Sequence, residues 1–442
     1  MFGRRSARRR QQPTVGAGRG AALTALTLDR RSWRHRRIDA VRLDNGDQGR
    51  WSTSLDCTVP DDPRLAYGDG QLAVPLATLR KGALRGFDVR DAAGQPLSVL
   101  GLDDGVSLSV EFLRFLIEQH DGVTYTRELD DALRLILGPD HPEFDDVFDF
   151  LSTGVLYGRQ VIAADEVDHI SAVTQAFILR LNDDYFLYVL VAEVDAGRRQ
   201  VLKFSWDWMP DKMLSDWREL AQAGFGLKPA LVDLDTNPGD AESYHLQVHM
   251  PAGLRAERLD LHGPRDTMTE DYAGGSLAHV RSAWVEPTHF GTPFGATLQM
   301  STNDRGLSWQ AMLLSVASFL FFLLSFVLDG AIDTMRASRD SGALLLVVPA
   351  AIAVFSLGSR EHPLKSQMLA APRLAIGACS TSLILAATSL TWELRTPWFY
   401  WYWAMALLIT GASATMSVVG EMVRRHRWTV SQRLSSLQAQ GG

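Results

Sequence analysis

Residues 309–328 read WQAMLLSVASFLFFLLSFVL, from Trp309 to Leu328, without one charged side chain. An α-helix rises about 1.5 Å per residue, so a run of this length matches the ~30 Å hydrocarbon core of a bilayer. Three more uncharged runs follow: Gly342–Gly358, Leu374–Trp392 and Trp398–Gly420. One such run could be the buried helix of a soluble protein, but four in succession predict a membrane bundle. A folded, water-soluble region precedes them.

Composition fits that division. The chain has 442 residues, 46% of them hydrophobic, yet its mean hydropathy is only −0.04, because the charge-free runs collect after Trp309. Two cysteines, Cys57 and Cys379, cannot build a disulfide framework, and nothing points to an oxidising compartment.

Lys and Arg gather on the cytoplasmic flank of membrane helices. With four spans, the folded region, the loop between spans two and three, and the C-terminus share one side. That side holds Arg305, Arg360, Lys365, Arg373, Arg424, Arg425, Arg427 and Arg433, against Arg336, Arg339 and Arg395 on the other. The bias predicts a cell-membrane protein with its folded region and both termini in the cytoplasm. It places the aromatic run Trp398–Trp403 at the outer interface. Ala21–Leu28 is a modest apolar patch ended by Asp29 and Arg30, without the cleavage pattern of a secretory leader, and the Arg4–Arg5 pair makes no export signal for the same reason.

Residues 1–37 hold eleven arginines against the single acid Asp29. They read as a disordered arm suited to anionic lipid of the inner leaflet, each basic residue there contributing about 1 kcal/mol, or as a plain solvated tail. Residues 38–308 hold 44 acidic and 23 basic residues, a net charge of −21. That balance keeps the folded part soluble and argues against nucleic acid as a partner.

The pattern predicts an α+β chain: a β-rich, sandwich-like soluble region with inserted helices, followed by a four-helix transmembrane bundle. A β-rich subdomain covers 38–105, with strands at Arg37–Arg42, Trp51–Val59, Gln71–Leu76 and Gly86–Arg90 between Gly, Pro and Asp turns. A helical segment covers 106–170. Leu129, Ala132, Leu133 and Ile136 recur at helical spacing, as do Phe144, Val147, Phe148 and Leu151. A second β-rich subdomain covers 171–302. It opens with a hairpin of Ala176–Leu181 and Tyr185–Val194 around Asn182–Asp184, includes a helix at Lys212–Gln222, and continues through Tyr244–Met250, Val280–Val285 and Ala296–Met300. The bundle occupies 309–420 and a basic cytoplasmic tail 421–442.

Several residues are of types able to carry chemistry. His245 and His249 would share a helix face as zinc ligands do, but on a strand they lie about 13 Å apart, too far for one ion. Asp233, Asp235, Asn237 and Asp240 imitate a calcium loop. Pro238 stands where its glycine belongs, however, and Tyr244 where its bidentate glutamate belongs. Gly16, Gly18 and Gly20 follow no strand and form no phosphate cradle. Cys57 falls on a strand pattern and reads as core. Asp103–Asp104 and Asp145–Asp146 read as solvated acids. No P-loop, GxSxG or HExxH motif occurs. No catalytic, cofactor-binding or metal site is assigned, and neither an enzyme activity nor a cofactor is expected.

The four runs contain no Asp, Glu, Lys, Arg or His, which lowers an ion-coupled transport reading. Ser380, Thr381, Ser382, Thr388, Ser389, Thr410, Ser413, Thr415 and Ser417 either let helices approach or line a pore. The turn at Ser359–Leu364 and the Pro372–Arg373 pair could dock on the soluble region through charge pairs.

The segments VPLATLRKGAL (74–84), FDVRDAAGQPL (87–97), SYHLQVHMPAGL (243–254) and SREHPLKSQMLAAPR (359–373) resemble multi-pass membrane proteins of high-GC Gram-positive bacteria, a group that brings no known activity. The order of β-sandwich then four helices is also similar to pentameric ligand-gated channels. It departs from them in its missing export signal, its inverted charge bias, a folded region with one cysteine, and an inserted helical segment. The expected function is a non-enzymatic binding, sensing or scaffold module at the inner membrane face, with a cytosolic protein or a second copy as partner. The alternative is a channel or transporter gated by the soluble region.

Overall fold

The computed structural model describes residues 15–43, 49–68, 70–82, 84–208, 217–262, 269–274, 276–283, 294–302, 307–328, 363–391 and 398–441. Helix α1 (Val15–Leu28) leads to strands β1 (Arg34–Arg42), β2 (Gly49–Thr58), β3 (Gln71–Arg80) and β4 (Asp88–Arg90). Helices α2 (Leu102–Phe115), α3 (Arg127–Leu137) and α4 (Phe144–Thr153) precede the short pair β5 (Val155–Leu156) and β6 (Arg159–Gln160). Next come α5 (Ala172–Asp183), β7 (Asp184–Ala192), β8 (Arg199–Trp208) and α6 (Trp217–Gly224). Strands β9 (Ala230–Thr236), β10 (Ser243–His249), β11 (Leu254–His262), β12 (Thr269–Gly274), β13 (Leu277–Ala283) and β14 (Phe294–Thr302) follow. Then come α7 (Leu307–Val327), α8 (Pro363–Met368), α9 (Ala370–Thr391) and α10 (Trp398–Gly441).

The strands make one seven-stranded sheet, ordered β12-β13-β10-β1-β2-β8-β4, and a three-stranded sheet, β11-β14-β9. The larger sheet is mixed, because β1 runs parallel to β10 with Ile38 beside His245. Its other pairings are antiparallel. In β2 every second residue is buried, so Trp51, Thr53, Leu55 and Cys57 face inward while Ser52, Ser54, Asp56 and Thr58 face out.

The inner face is covered in two parts. Toward Trp51 and Val41 it meets the three-stranded sheet through Leu246, Val248, Leu259, Leu298 and Met300. Toward Leu55 and Cys57 it meets the β3–β7 pair and helices α1 to α5 through Val74, Val189, Phe112 and Phe177. Phe112 packs edge-on against Phe177 at 5.0 Å and Phe186 at 5.6 Å. Full burial of each large apolar side chain contributes about 1.5–3 kcal/mol.

The soluble region is therefore not two self-contained β-rich subdomains. β1 and β2 from 38–105 pair with β10 and β8 from 171–302, and β3 pairs with β7, so the two blocks interleave in one body. The expected pair of antiparallel sheets gives way to the mixed sheet with its divided cover. Strand identities hold at β1, β2, β3, β4, β10, β13 and β14.

Three local expectations change. The disordered arm of 1–37 does not extend past Val15, and residues 1–14 lie outside the described ones. Leu23 and Leu26 of α1 are buried in the helical core, and Gly20 permits a close approach: a Cβ there would sit 2.5 Å from the Glu111 carbonyl oxygen of α2. Trp33 is 1% exposed, and its indole N–H donates to the Leu26 carbonyl at 2.9 Å. Second, Ala176–Leu181 belongs to helix α5 rather than to a strand. Ser171 caps it by accepting from the Thr174 N–H, and Phe177, Ile178 and Leu181 form its buried stripe. A short apolar run satisfies both periods, and here the cap decides. Third, α4 buries Val147, Phe150 and Leu151, while Phe144 and Phe148 stack on each other in solvent. The expected helix at Lys212–Gln222 is described from Trp217 onward.

Among the described residues, three helices are long and apolar enough to cross a membrane: Leu307–Val327, Ala370–Leu390 and Trp398–Arg427, with mean hydropathies of 2.1, 1.4 and 1.5. They are the first, third and fourth of the expected spans; the second, 342–358, lies outside the described residues. The expected separate tail 421–442 is instead the unbroken continuation of α10 to Gly441. Helix directions follow from contacts. Near one end, Arg425 lies over the Trp309 ring at 5.9 Å; near the other, Phe322 packs on Trp403 at 5.4 Å, so α7 and α10 are antiparallel. Cys379 donates to Ser315 at 3.4 Å, and Ser389 accepts from the Trp403 indole at 3.1 Å, so α9 runs the same way as α7.

Candidate functional site

The residues singled out from sequence scatter. Cys57 is fully buried, and burial pushes its thiol up to about 12, consistent with core. Asp103–Asp104 and Asp145–Asp146 occupy the first turns of α2 and α4, where negative charge complements the helix dipole. Asp233 and Asp235 point outward from β9 while Asp240 is buried, so the calcium-like loop does not converge. No group of three metal-ligating side chains occurs among the described residues. Ser380, Ser382, Ser389, Thr410 and Ser417 are buried in helix contacts. Thr388 and Thr415 bond back to carbonyls of their own helices.

Three clusters that sequence reasoning did not anticipate take their place. The first is a buried charge knot. Asp240 is 2% exposed and pairs with Arg30, with Arg34 at 2.8 Å and with Arg37 at 2.5 Å. Arg34 also donates to the Pro75 carbonyl at 2.7 Å and stacks over Trp33. Arg37 donates to Asp39 at 3.1 Å, and Asp39 accepts from Thr53 at 2.6 Å and from the Tyr244 hydroxyl at 2.9 Å. Burial alone would raise the Asp240 carboxyl, but Arg30, Arg34 and Arg37 outweigh it and hold it well below the usual carboxylate range. Burial lowers the Arg34 guanidinium to about 10. Three arginines of the supposed lipid-binding arm are thus committed to the interior.

The second cluster is a groove of about 590 Å³ on the outer face of the large sheet, lined by His35, Arg36, Arg199, Glu242, Ser243, His245 and Arg281. Alternation puts these side chains on one face from the neighbouring strands β13, β10 and β1, from β8 beyond β2, and from the residue before β10. Arg36 stands beside Ser243, and His245 beside Arg281. His245 shares a 3.1 Å hydrogen bond with His279, their rings stacked at 5.4 Å, and Ser243 Oγ lies 3.3 Å from its other nitrogen. Burial, then Arg36, His279 and Arg281, push His245 down to about 4. Arg199 is bridged to Asp56 at 2.8 and 2.6 Å, and His35 to Thr58 at 2.9 Å. Arg36 and Arg281 have no ion-pair partner among the described residues. The expected partner of His245, His249 on its own strand, is not the one it meets. His279 on the adjacent strand is.

The third cluster joins the folded region to the membrane helices. Met368 of α8 is buried in the core between the two sheets. A Cβ at Gly224 would lie 2.6 Å from the Met368 carbonyl oxygen, and one at Gly420 would overlap the Phe225 carbonyl. Arg424 is 3% exposed; it pairs with Glu421 and donates to Thr302 Oγ1 at 3.3 Å. Arg427 donates to Glu257 at 3.4 Å and to the Gly226 carbonyl. The charge pairs expected of the Ser359–Leu364 turn and of Pro372–Arg373 are not what joins this segment to the folded region. The join rests on Met368 and on glycine approaches, while Arg373 turns to Ser366 at 3.0 Å; residues 359–362 lie outside the described ones.

No protein-family model matches the chain, and no curated protein matches it.

Proposed function

We propose that this chain is a non-enzymatic binding or sensing module held at the cell membrane, with four spans and with its β-rich region in the cytoplasm. Helix direction supports the span number. α7 leaves the folded region and α9 sets out from it in the same direction, so the intervening chain has to recross the bilayer. The uncharged run Gly342–Gly358 has the length for that. From Trp403 to Arg424 α10 covers about 30 Å, one hydrocarbon thickness. Beyond it, Arg424, Arg425 and Arg427 fall beside the folded region, the arrangement that basic residues favour on the cytoplasmic side.

The observation that carries the module reading is the junction. A core methionine from α8 and a buried arginine from α10 fix the folded region to two membrane elements at once. A domain so fixed passes a change at its surface to the helices, which a domain on a free linker cannot do. Of the hydroxyls that a pore reading needs, Ser389 and Thr410 are hydrogen-bonded within the helices, while Ser380 and Ser417 are buried without a hydrogen-bond partner among the described residues. A cytosolic protein or a second copy remains the proposed protein partner.

Reconstitution of the full chain in liposomes, with reporter fusions in cells, tests this. The expected result is no ion flux above that of empty liposomes, a fusion at Gly442 reporting inside and one near Met335 reporting outside. Reproducible flux replaces the module with a gated channel. An outside report from Gly442 reverses the sidedness.

A further inference from the structure

We infer that the groove between Arg36, Arg199 and Arg281 binds the phosphoryl group of a small, water-soluble phosphorylated molecule. This deepens the module reading above and rests on it, because it names what the folded region binds.

Charge and shape carry the inference. Three guanidinium groups reach one cavity of about 590 Å³ from β1, β8 and β13, within the usual range of small-molecule sites. Guanidinium forks match phosphoryl oxygens, and charge-assisted bonds to them are about twice as strong as neutral ones. The surrounding folded region carries a net charge of −21 over residues 38–308, so three arginines around one cavity run against its background. Other arginines are tied to acids: Arg50 to Asp207, Arg64 to Asp62, Arg134 to Asp130, Arg258 to Asp260. Arg36 and Arg281 make no ion pair among the described residues, although Asp56 lies across the strands from Arg36 and Glu270 from Arg281.

Three acids stand near the groove's three arginines. Glu242 lines it, Asp56 is bridged to Arg199, and β12 puts Glu270 in register with Arg281. His245, held neutral by its burial and its cationic neighbours, offers ring nitrogens without adding an acid, and Ser243 offers a hydroxyl. A dianion gains more from three cations than a single carboxylate does.

Position favours a soluble ligand over a lipid headgroup. Gly253, which lies against Lys365 of α8, follows β10 at its His249 end. The groove sits at the opposite, Ser243 end, about 20 Å away along the strand. A headgroup in the chain's own membrane would have to reach past the junction.

The experiment is calorimetric titration of the full chain, held in phosphatidylcholine nanodiscs, with inorganic pyrophosphate. Flotation with phosphatidic-acid vesicles forms a second arm, and citrate serves as comparison ligand. Expected are saturable pyrophosphate binding, a loss of about tenfold or more in Arg36→Gln and in Arg281→Gln, and a change of less than about twofold in Arg258→Gln on β11. No saturation at millimolar pyrophosphate overturns the inference, as does an equal loss in the Arg258 variant. Citrate binding as tightly as pyrophosphate overturns the phosphoryl assignment. Vesicle capture that depends on Arg36 and Arg281, without pyrophosphate binding, overturns the soluble ligand in favour of a lipid headgroup. The flux and reporter results do not depend on these variants, so this inference can fail while the module reading stands.

Discussion

Arg36 and Arg37 are neighbours in sequence and opposites in the structure. Both lie on β1, and strand alternation sends Arg37 into the interior and Arg36 to the outer face. Arg37 meets Asp39 and Asp240 and belongs to a knot of three arginines and two buried carboxylates. Arg36 meets Arg281 and His245 across a groove in which Asp56 is committed to Arg199. The difference is set by which acid the fold delivers. On the inner side the 3-10 turn at Pro238–Asp240 delivers one across 203 residues of sequence. On the outer side β10 delivers a histidine and a serine. A cluster whose arginines share buried carboxylates holds a fold together; surface arginines outside any ion pair are open to a ligand.

The largest way to break the contrast is Asp240→Asn. It leaves Arg30, Arg34 and Arg37 buried around a neutral amide, and breaking one partner of such a cluster costs about 3–5 kcal/mol. Thermal unfolding in detergent should show the loss as a sharply lower midpoint or as failure to fold. The carboxyl is held below its ordinary range, so its stabilisation is complete above the unfolded value near 3.9 and is lost only as pH falls through the folded value. Between neutral pH and about pH 5 the knot should therefore contribute no slope to stability.

A smaller effect is expected at the junction, where the same rule operates a third time. Arg424 is buried like Arg37, and its acid comes from its own helix. Glu421→Gln should loosen the contact with Thr302 by about 1–3 kcal/mol and speed amide exchange around Gly226 and Thr302, with the three-stranded sheet otherwise unchanged. Unaltered exchange there would mean that Met368 alone holds the junction.

The groove adds a pH signature that the knot lacks. His245 is pushed down to about 4 in the folded chain and titrates near 6.5 when unfolded. Between those values the unfolded state binds the extra proton, so stability should fall as pH drops from about 6.5 towards 4. The groups facing His245 are Arg36 from β1, Ser243 on its own strand, and His279 and Arg281 from β13; Glu242 lines the same groove. His245→Gln should flatten that slope, read by denaturant unfolding at a series of pH values. A bound phosphoryl group should reverse it by favouring the charged imidazole, so pyrophosphate affinity should rise with acid more in the native chain than in the glutamine variant.

Much of the architecture was legible because its physics is local. Uncharged length locates α7, α9 and α10 without knowledge of any partner. Alternation locates β1, β2 and β10, and the stripe of Leu129, Ala132, Leu133 and Ile136 locates α3. What could not be read depends on distant residues. The parallel pairing of β1 with β10 joins segments about 200 residues apart and merges two apparent subdomains. Asp240 looked like one member of an Asp-rich turn, since nothing near it names Arg30, Arg34 and Arg37 as its partners. His245 was noticed with the wrong companion. Its true neighbour His279 lies in LAHVRSA, a strand pattern whose outward positions carry His279 and Arg281, and matching that face to the outward face of β10 was the one available signal. Helix α1 was hidden by its arginines, which outweighed Ala21, Ala22, Leu23 and Leu26 in a composition count although those four set the packing.

The smallest expected change is the most direct test of the opening contrast. Arg37→Gln removes one cation from beside two buried carboxylates and should destabilise the chain by about 3 kcal/mol. Arg36→Gln, one position earlier, removes a cation whose charged neighbours include Arg281 and an imidazole that its field already disfavours as a cation. Exposed positions outside special contacts usually shift stability by no more than about 0.5 kcal/mol, and relief of repulsion from Arg281 is set against the lost attraction to Asp56. Arg36→Gln should therefore unfold at the native midpoint, while pyrophosphate binding is lost. A residue kept for the fold cannot behave that way, because removing it would lower both. Equal destabilisation by the two substitutions would show that Arg36 is as structural as its neighbour and that the groove is a by-product of the sheet.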